Sequence, residues 1–523
     1  MRLPLGFLLG WLALVPGPDA YGQQEAGSPS LSSYHRARAI VDRALAAMGP
    51  SGGAISSLVV EGTGYEDLTA ELQGMSPEAE SRRPHREILA VDVASGGVAY
   101  ERHTARNDRS LRWRRFILTP DARGVVDFTT GFSSLRAAPV PDTERAAYRR
   151  RVPLFLLQEL AQRPAGLRWL GQTSRQGKTL DLVAAPLPTG AQLVMFFDAA
   201  PQLARVEYLL EFPGLGDTPI EIEYPIWASH PRLGRFPTGH RVLVGERVLQ
   251  DVTYSRVLVD DSSAANYLRV PAQPGGSQRA APRPMAPMRA APPPGTASMV
   301  ADGVYLVEDL AGFDLMFVDL GGEVLVAEAP GAHPFLDAIP ARNYPPGPPV
   351  SREYLSLIQR TLPGLPIRYL VLSHHHSDHL GGVREFIAAG ATVLAPPGDT
   401  ALVRRISRLP HTLKSNLSHF AADARIETVN GRRVISGRDR SVEIHQVGPN
   451  PHTDDNLLLW IPASRILFQG DLFYFSQGEP PPVDRETMNR FFGDWVAKQG
   501  LRPARIYGMH NDGFATLDDL PRR

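Results

Sequence analysis

The sequence predicts an α/β protein in two parts, a β-rich unit with an antiparallel sheet followed by a unit in which strands and helices alternate. Three observations predict it. Short apolar runs recur at near-regular spacing between Leu58 and Leu258, broken by Gly, Pro and Asp. Residues Pro271–Gly295 are so dense in Pro, Ala and Gly that they can bury no core and read as a spacer. Beyond Val300, strand and helix patterns alternate and lead into a histidine-rich turn, Ser373–Gly382.

Taken in order, Arg2 followed by the apolar run Leu3–Val15 and the small residues around Ala20 and Gly22 reads as a cleavable signal peptide over residues 1–22, with the mature chain starting at Gln23. The apolar run is short of the roughly 20 residues that a membrane span needs. A periplasmic or extracellular location follows, with no stable membrane span. Tyr34–Met48 has helical spacing (Ala37, Ile40, Val41, Leu45) and stops at Gly49-Pro50. The β-rich unit, residues 34–270, then runs through strands at Leu58–Glu61, Glu87–Val93, Val98–Arg102, Arg114–Leu118 and Val125–Phe128 and one helix at Thr143–Gln162. Further strands follow at Leu180–Ala184, Gln192–Phe197, Ala204–Phe212, Ile220–Tyr224, Arg241–Val244 and Val248–Leu258. This pattern resembles the half-barrel of periplasmic lipoprotein-carrier domains. Its histidines (His35, His85, His103, His230, His240) show no ligand spacing.

After the linker, 271–299, the second unit covers 300–523. Strands are expected at Gly303–Val307, Asp314–Val318 and Glu323–Ala327, a helix at Ser351–Leu362, and a buried strand at Ile367–Leu372 that runs into the turn. A helix at Val383–Ala389, irregular cover over Gly398–Ala422, and strands at Ile426–Val429, Val442–Val447, Asn456–Ile461 and Ile466–Gln469 come next. A helix at Glu486–Lys498 and a strand at Ile506–Tyr507 complete it.

Composition excludes some classes. With 55 basic and 55 acidic residues the formal net charge is zero, which leaves no electrostatic case for nucleic acid. The absence of Cys means that the protein is stabilised without disulfides and that any metal site must be built from His nitrogen and carboxylate oxygen. A small-molecule substrate is the expected partner.

The chemistry sits at the C-terminal end of a strand, where α/β proteins build sites. In Ser-His-His-His-Ser-Asp-His, imidazoles two apart in an extended turn (His374, His376) can face one metal ion, and Asp378 with His379 can face a second beside it. His375 between them should point away. Three later segments each place one more candidate after an apolar strand: His452 in Gly-Pro-Asn-Pro-His-Thr-Asp-Asp-Asn, Asp471 in Gln-Gly-Asp-Leu-Phe, and His510 in Tyr-Gly-Met-His.

Together these motifs resemble the metallo-β-lactamase superfamily over about Val300 to the end. The resemblance implies an αββα sandwich and a dinuclear centre in which His374, His376 and His452 hold one ion, Asp378, His379 and His510 the other, and Asp471 bridges both. It implies a hydrolase in which a metal-bound hydroxide attacks an ester, thioester, lactone, β-lactam or phosphodiester, with Asp378 as the catalytic residue that orients the nucleophile and passes on its proton. Two Zn²⁺ suit this ligand set, and Fe or Mn would accept it. Asp471 stands where many true β-lactamases have Cys or Ser, which points toward thioesterase, lactonase or phosphodiesterase members. Glu328 replaces the commoner strand-ending Asp and is expected to act behind the ligands. Two other readings are a non-enzymatic carrier that binds an apolar ligand in the β-rich unit, and a mononuclear iron dioxygenase, since dioxygenase members share much of the motif.

Overall fold

The computed structural model describes residues 28–49, 54–105, 111–129, 132–187, 192–270, 296–331, 350–413, 424–475, 485–511 and 513–521. The expected signal peptide and nearly all of the linker lie outside these residues. Among the described residues no helix is long and apolar enough to cross a membrane.

The N-terminal part is built on one 13-stranded sheet, antiparallel in its pairings. Its first and last strands, Ser57–Asp67 and Arg247–Val259, pair at the centre, with Leu58 opposite Val259. From Ser57–Asp67 the chain meanders outward to an edge at Phe132–Ala137; the other half runs out to an edge at Arg168–Arg175. Alternation decides what each face meets. Leu58, Val60, Leu89 and Val91 pack against the helices Pro29–Met48 and Pro153–Gln162, whereas Val59, Ile88 and Ala90 face the short helix Ser263–Tyr267. The single helix expected over Thr143–Gln162 is two, Asp142–Arg149 and Pro153–Gln162. Pro153 has no N–H to donate back into a preceding turn and disfavours helical backbone at Val152, so it starts a new helix instead.

The C-terminal part has two sheets packed face to face. The larger has seven strands from Ala297–Ala301 to Ile426–Thr428, and its last four, from Val324–Ala327 onward, are parallel. The smaller has five, from Arg432–Ser436 to Arg505–Gly508. The strand Leu457–Ile461 shows why its sequence is apolar throughout. Leu457, Leu459 and Ile461 enter the core between the sheets, and Leu458 and Trp460 pack under the helix Glu486–Lys498. Val350–Thr361 covers the other side, its Tyr354 hydroxyl donating to Met316 O at 2.7 Å. Helix, sheet, sheet and helix make the expected αββα sandwich.

The two parts touch. A 3₁₀ turn, Leu68–Glu71, leaves the strand Ser57–Asp67, and the residue after it, Leu72, buries its side chain in the core of the C-terminal sandwich. A second loop of the sheet, around Gly216, lets Asp217 N donate to Pro410 O at 2.8 Å.

Candidate metal centre

The strand Ile367–Val371 ends in the histidine turn, and His376 stands at the N-cap of a four-residue helix, Ser377–Leu380. The turn is locked from behind. Ser373 N donates to Glu328 Oε2 at 3.2 Å, Leu457 N donates to Ser373 O at 2.8 Å, and Ser373 Oγ lies 2.8 Å from His374 Nδ1 and 3.3 Å from His379 Nδ1. Glu328, buried at φ 66°, also sets Oε1 3.4 Å from His379 Nδ1. A non-glycine residue at positive φ stores strain that the surroundings must hold. Here they hold a carboxylate against the outer nitrogen of His379, behind the cluster, as expected for Glu328.

The three distant segments converge on this turn. Asn450 Oδ1 accepts from the backbone N–H groups of His452 and Thr453, both at 2.9 Å, an Asx turn that fixes the loop carrying His452. Asp471 follows the strand Ile466–Gln469, and Gln469 Oε1 accepts from Leu472 N at 2.7 Å to set the next bend. Gly470 between them is required by space, because a Cβ there would lie 2.6 Å from Ser373 Oγ. His510 follows Arg505–Gly508, with Met509 O held by Asp314 N at 2.9 Å.

All seven predicted residues come together, in two groups: His374, His376, His452 and Asp471, and beside them Asp378, His379 and His510. Asp471 faces both. Its Oδ2 is 3.3 Å from His452 Nε2, and its Oδ1 is 3.3 Å from His379 Nε2 and 3.4 Å from His510 Nε2. His375 turns out of the cluster, its Nδ1 3.4 Å from Asp399 and its Nε2 3.0 Å from Gly74 O.

The donor set fits a pair of divalent cations. His374 Nε2 and His452 Nε2 approach to 3.2 Å, two ring nitrogens aimed at one point. Burial, with the neighbouring imidazoles, pushes His374 and His376 well below the ordinary histidine range; burial leads the downward shift of His452 as well. Neutral imidazoles are what a metal requires. Burial opposes charge on His379, but Asp471, Glu328 and Asp378 outweigh it and raise that group. Burial would also raise Asp471, and the charges of His510 and His379 hold it well below the carboxylate range instead. His379 Nε2 and Asp471 Oδ1 are buried 3.3 Å apart within the cluster without hydrogen-bond geometry. A cation satisfies both.

Two groups in this site carry no ligand spacing in the sequence. Gln73 Nε2 donates to Asp378 Oδ1 at 2.7 Å and to Ser377 Oγ at 3.1 Å, and Gly74 O lies 2.9 Å from His376 Nε2. Nothing local in Leu-Gln-Gly-Met marks a residue that meets partners some 300 positions away. Beside Asp471, Arg485 stacks over the Tyr474 ring at 3.7 Å. In the β-rich unit, His85 lies buried between Glu66 and Glu87 at 3.3 Å from each, and His240 lies 3.1 Å from the Tyr254 hydroxyl.

The fold and the site define a class, an αββα sandwich with a buried, paired His/Asp cluster at its strand ends. Residues 346–510 match the family described as the metallo-beta-lactamase superfamily, and the C-terminal region of this chain is a domain of it. Over 120 residues the chain is 29% identical to diflavin flavoprotein A 1 of Synechocystis sp., a match covering 23% of this chain and 19%, about a fifth, of that protein. Similar solved structures include a metallo-beta-lactamase from Pontibacter korlensis, at 16% identity over 42% of this chain and 93% of that one with a TM-score of 0.30. Another is FIM-1 from Pseudomonas aeruginosa in its mono-zinc form, at 18% identity over 43% and 90% with a TM-score of 0.29. The inverting sec-alkylsulfatase Pisa1 from Pseudomonas sp. matches at 15% identity over 43% and 39%, with a TM-score of 0.30.

Proposed function

We propose that this protein is an exported hydrolase with two divalent ions, taken to be Zn²⁺, that cleaves an ester, thioester, lactone, β-lactam or phosphodiester. The observation that carries the reading is Asp471, which offers one carboxylate oxygen to each half of the cluster. Two ions held there would acidify a water from a pKa of 15.7 toward about 7 and polarise the bond under attack. The chain's own residues supply the rest. His374, His376 and His452 would hold one ion and Asp378, His379 and His510 the other. Asp378, whose Oδ2 lies 3.2 Å from His510 Nε2, would orient the nucleophilic water and carry its proton to the leaving group. The Tyr474 ring with Arg485 over it offers an aromatic and cationic flank for an anionic or amphiphilic substrate. Export rests on the signal-peptide pattern in residues 1–22.

Metal analysis joined to an activity panel of esters, thioesters, lactones, β-lactams and phosphodiesters tests this. Two zinc ions per chain with turnover of one class supports it; iron with no hydrolysis refutes it. That second outcome would favour an oxidoreductase, a reading to which the similarity with a diflavin flavoprotein lends some support. The intact mass of protein recovered outside the cytoplasm should correspond to a start at Gln23, and a full-length mass would refute export by cleavage.

A further inference from the structure

The loop that follows Leu68–Glu71 belongs to the β-rich unit, yet it ends inside the site of the other. Asp67 starts it, accepting from Thr69 N at 3.0 Å and from Ser81 N at 3.1 Å, and Thr69 Oγ1 donates to Ala79 O at 3.1 Å. Leu72 adopts the left-handed conformation (φ 55°, ψ 41°), which a Leu takes only when its surroundings insist. The reward is visible, since the bend turns Leu72 into the sandwich core and aims the next two residues at the metal cluster. The sandwich grips this loop at two points, Ser377 N donating to Leu72 O at 3.2 Å and Asp454 N to Met75 O at 2.8 Å. The first is on the segment that carries Asp378 and the second on the loop that carries His452. Gly74 admits no side chain, because a Cβ would lie 2.3 Å from Thr69 Oγ1.

We infer that the β-rich unit completes the metal centre: Gln73 and the carbonyl of Gly74 are positioning groups that orient Asp378 and His376 for the ions. This rests on the two-ion reading above. A carboxylate can only accept, so the Gln73 amide must present its NH₂ to Asp378 Oδ1, and with that oxygen engaged Oδ2 is the one left facing His510 and the cluster. The amide's second hydrogen goes to Ser377 Oγ, which fixes the amide plane. A carbonyl likewise can only accept, so His376 carries its hydrogen on Nε2 and keeps its Nδ1 lone pair for a metal. His375 donates to the same carbonyl and is thereby held out of the site. Groups behind metal ligands fix tautomer and orientation, and their loss typically costs 10–100-fold in metal affinity. In this protein those groups come from a different sheet, so the sandwich alone would hold its ligands with two of them unsupported.

The test is metal affinity of the full-length chain, measured by zinc competition with a chromophoric chelator, with the absorption spectrum of the cobalt-loaded protein as a second readout. Gln73→Met keeps the volume and removes the donor. It should leave one ion bound as in the parent and weaken the other, through Asp378, by roughly 10–100-fold. Gly74→Ala, which must shift the carbonyl, should weaken the ion bound by His376 and change the cobalt spectrum. Glu78→Ala removes the ion pairs of Glu78 with Arg405 at 2.6 Å and Arg247 at 2.7 Å in the same contact region without touching a ligand. It should leave both affinities at the parental values. Parental affinity for both ions in Gln73→Met overturns the inference, as does an equal loss in Glu78→Ala, which would mean that a loosened contact and not an oriented ligand was being measured. A parent chain that binds no metal overturns the two-ion reading itself.

Discussion

Glu71→Gln is expected to stabilise the protein, and to do so only as pH rises. Glu71 closes the 3₁₀ turn next to the loop that reaches the metal cluster, and it is buried. Burial pushes its carboxyl from 4.5 up to about 8; the charge of Glu66 adds to the rise, and Arg102 and Arg151 oppose it. The native protein therefore keeps a proton that the unfolded chain releases near pH 4.5. With fewer protons bound in the unfolded state across that window, stability falls as pH rises, by about 1.4 kcal/mol per unit, and levels off above about pH 8. Between pH 5 and pH 9 the loss integrates to about 4 kcal/mol. Glutamine has the shape of the neutral acid and titrates nowhere. Urea unfolding of parent and variant, followed by circular dichroism in chelator from pH 5 to pH 9, gives the difference directly, and the titrations of groups not coupled to Glu71 cancel in it. The gap should be small at pH 5, widen to pH 8 in favour of the variant, and then stay constant. A gap that is independent of pH, or that narrows as pH rises, refutes the assignment of Glu71 as a buried neutral acid.

Other substitutions test the site and the core. His376→Ala and Asp471→Ala should each abolish activity and lower the metal content seen by elemental analysis, with the chain still folded. His375→Ala, whose ring points to Asp399 and Gly74, should be far milder on both counts. Gly470→Ala pushes a methyl group against Ser373 Oγ and should weaken metal binding in a competition titration with little change in melting temperature. Phe468→Ala empties a fully buried position between the two sheets and should cost about 3–5 kcal/mol, read as a lowered urea midpoint in chelator.

Four of the seven clustered residues were legible because they crowd one short turn just past the apolar strand Ile367–Val371, and Asp471 and His510 because each follows a strand end by two residues; His452, in a loop six residues past Ser441–Gln446, was legible only beside the others. The strand expected at Asn456–Ile461 is Leu457–Ile461, and it was legible because its run is apolar at every position. The break before Pro153 was hidden by apolar residues that keep helical spacing on both sides of it. The edge strand Arg168–Arg175 was missed because, half solvated and polar, it lacks the alternation that marks a buried face. Gln73 and Gly74 could not be found at all. Their partners lie about 300 residues away, and an amide or a carbonyl becomes a positioning group only where the fold sets it down.

The pairing of Ser57–Asp67 with Arg247–Val259 at the middle of the large sheet has a consequence for biosynthesis. Leu58 waits for Val259, 201 residues further along by subtraction, before the centre of the sheet can close. Until then the inner edge of each half is unpaired as well as its outer one, and contacts of such long range make folding slow and leave intermediates prone to aggregate. The strand that waits also carries the turn leading to Gln73 and Gly74. Completion of the candidate metal centre would then depend on the late closure of a sheet that carries none of the seven clustered residues.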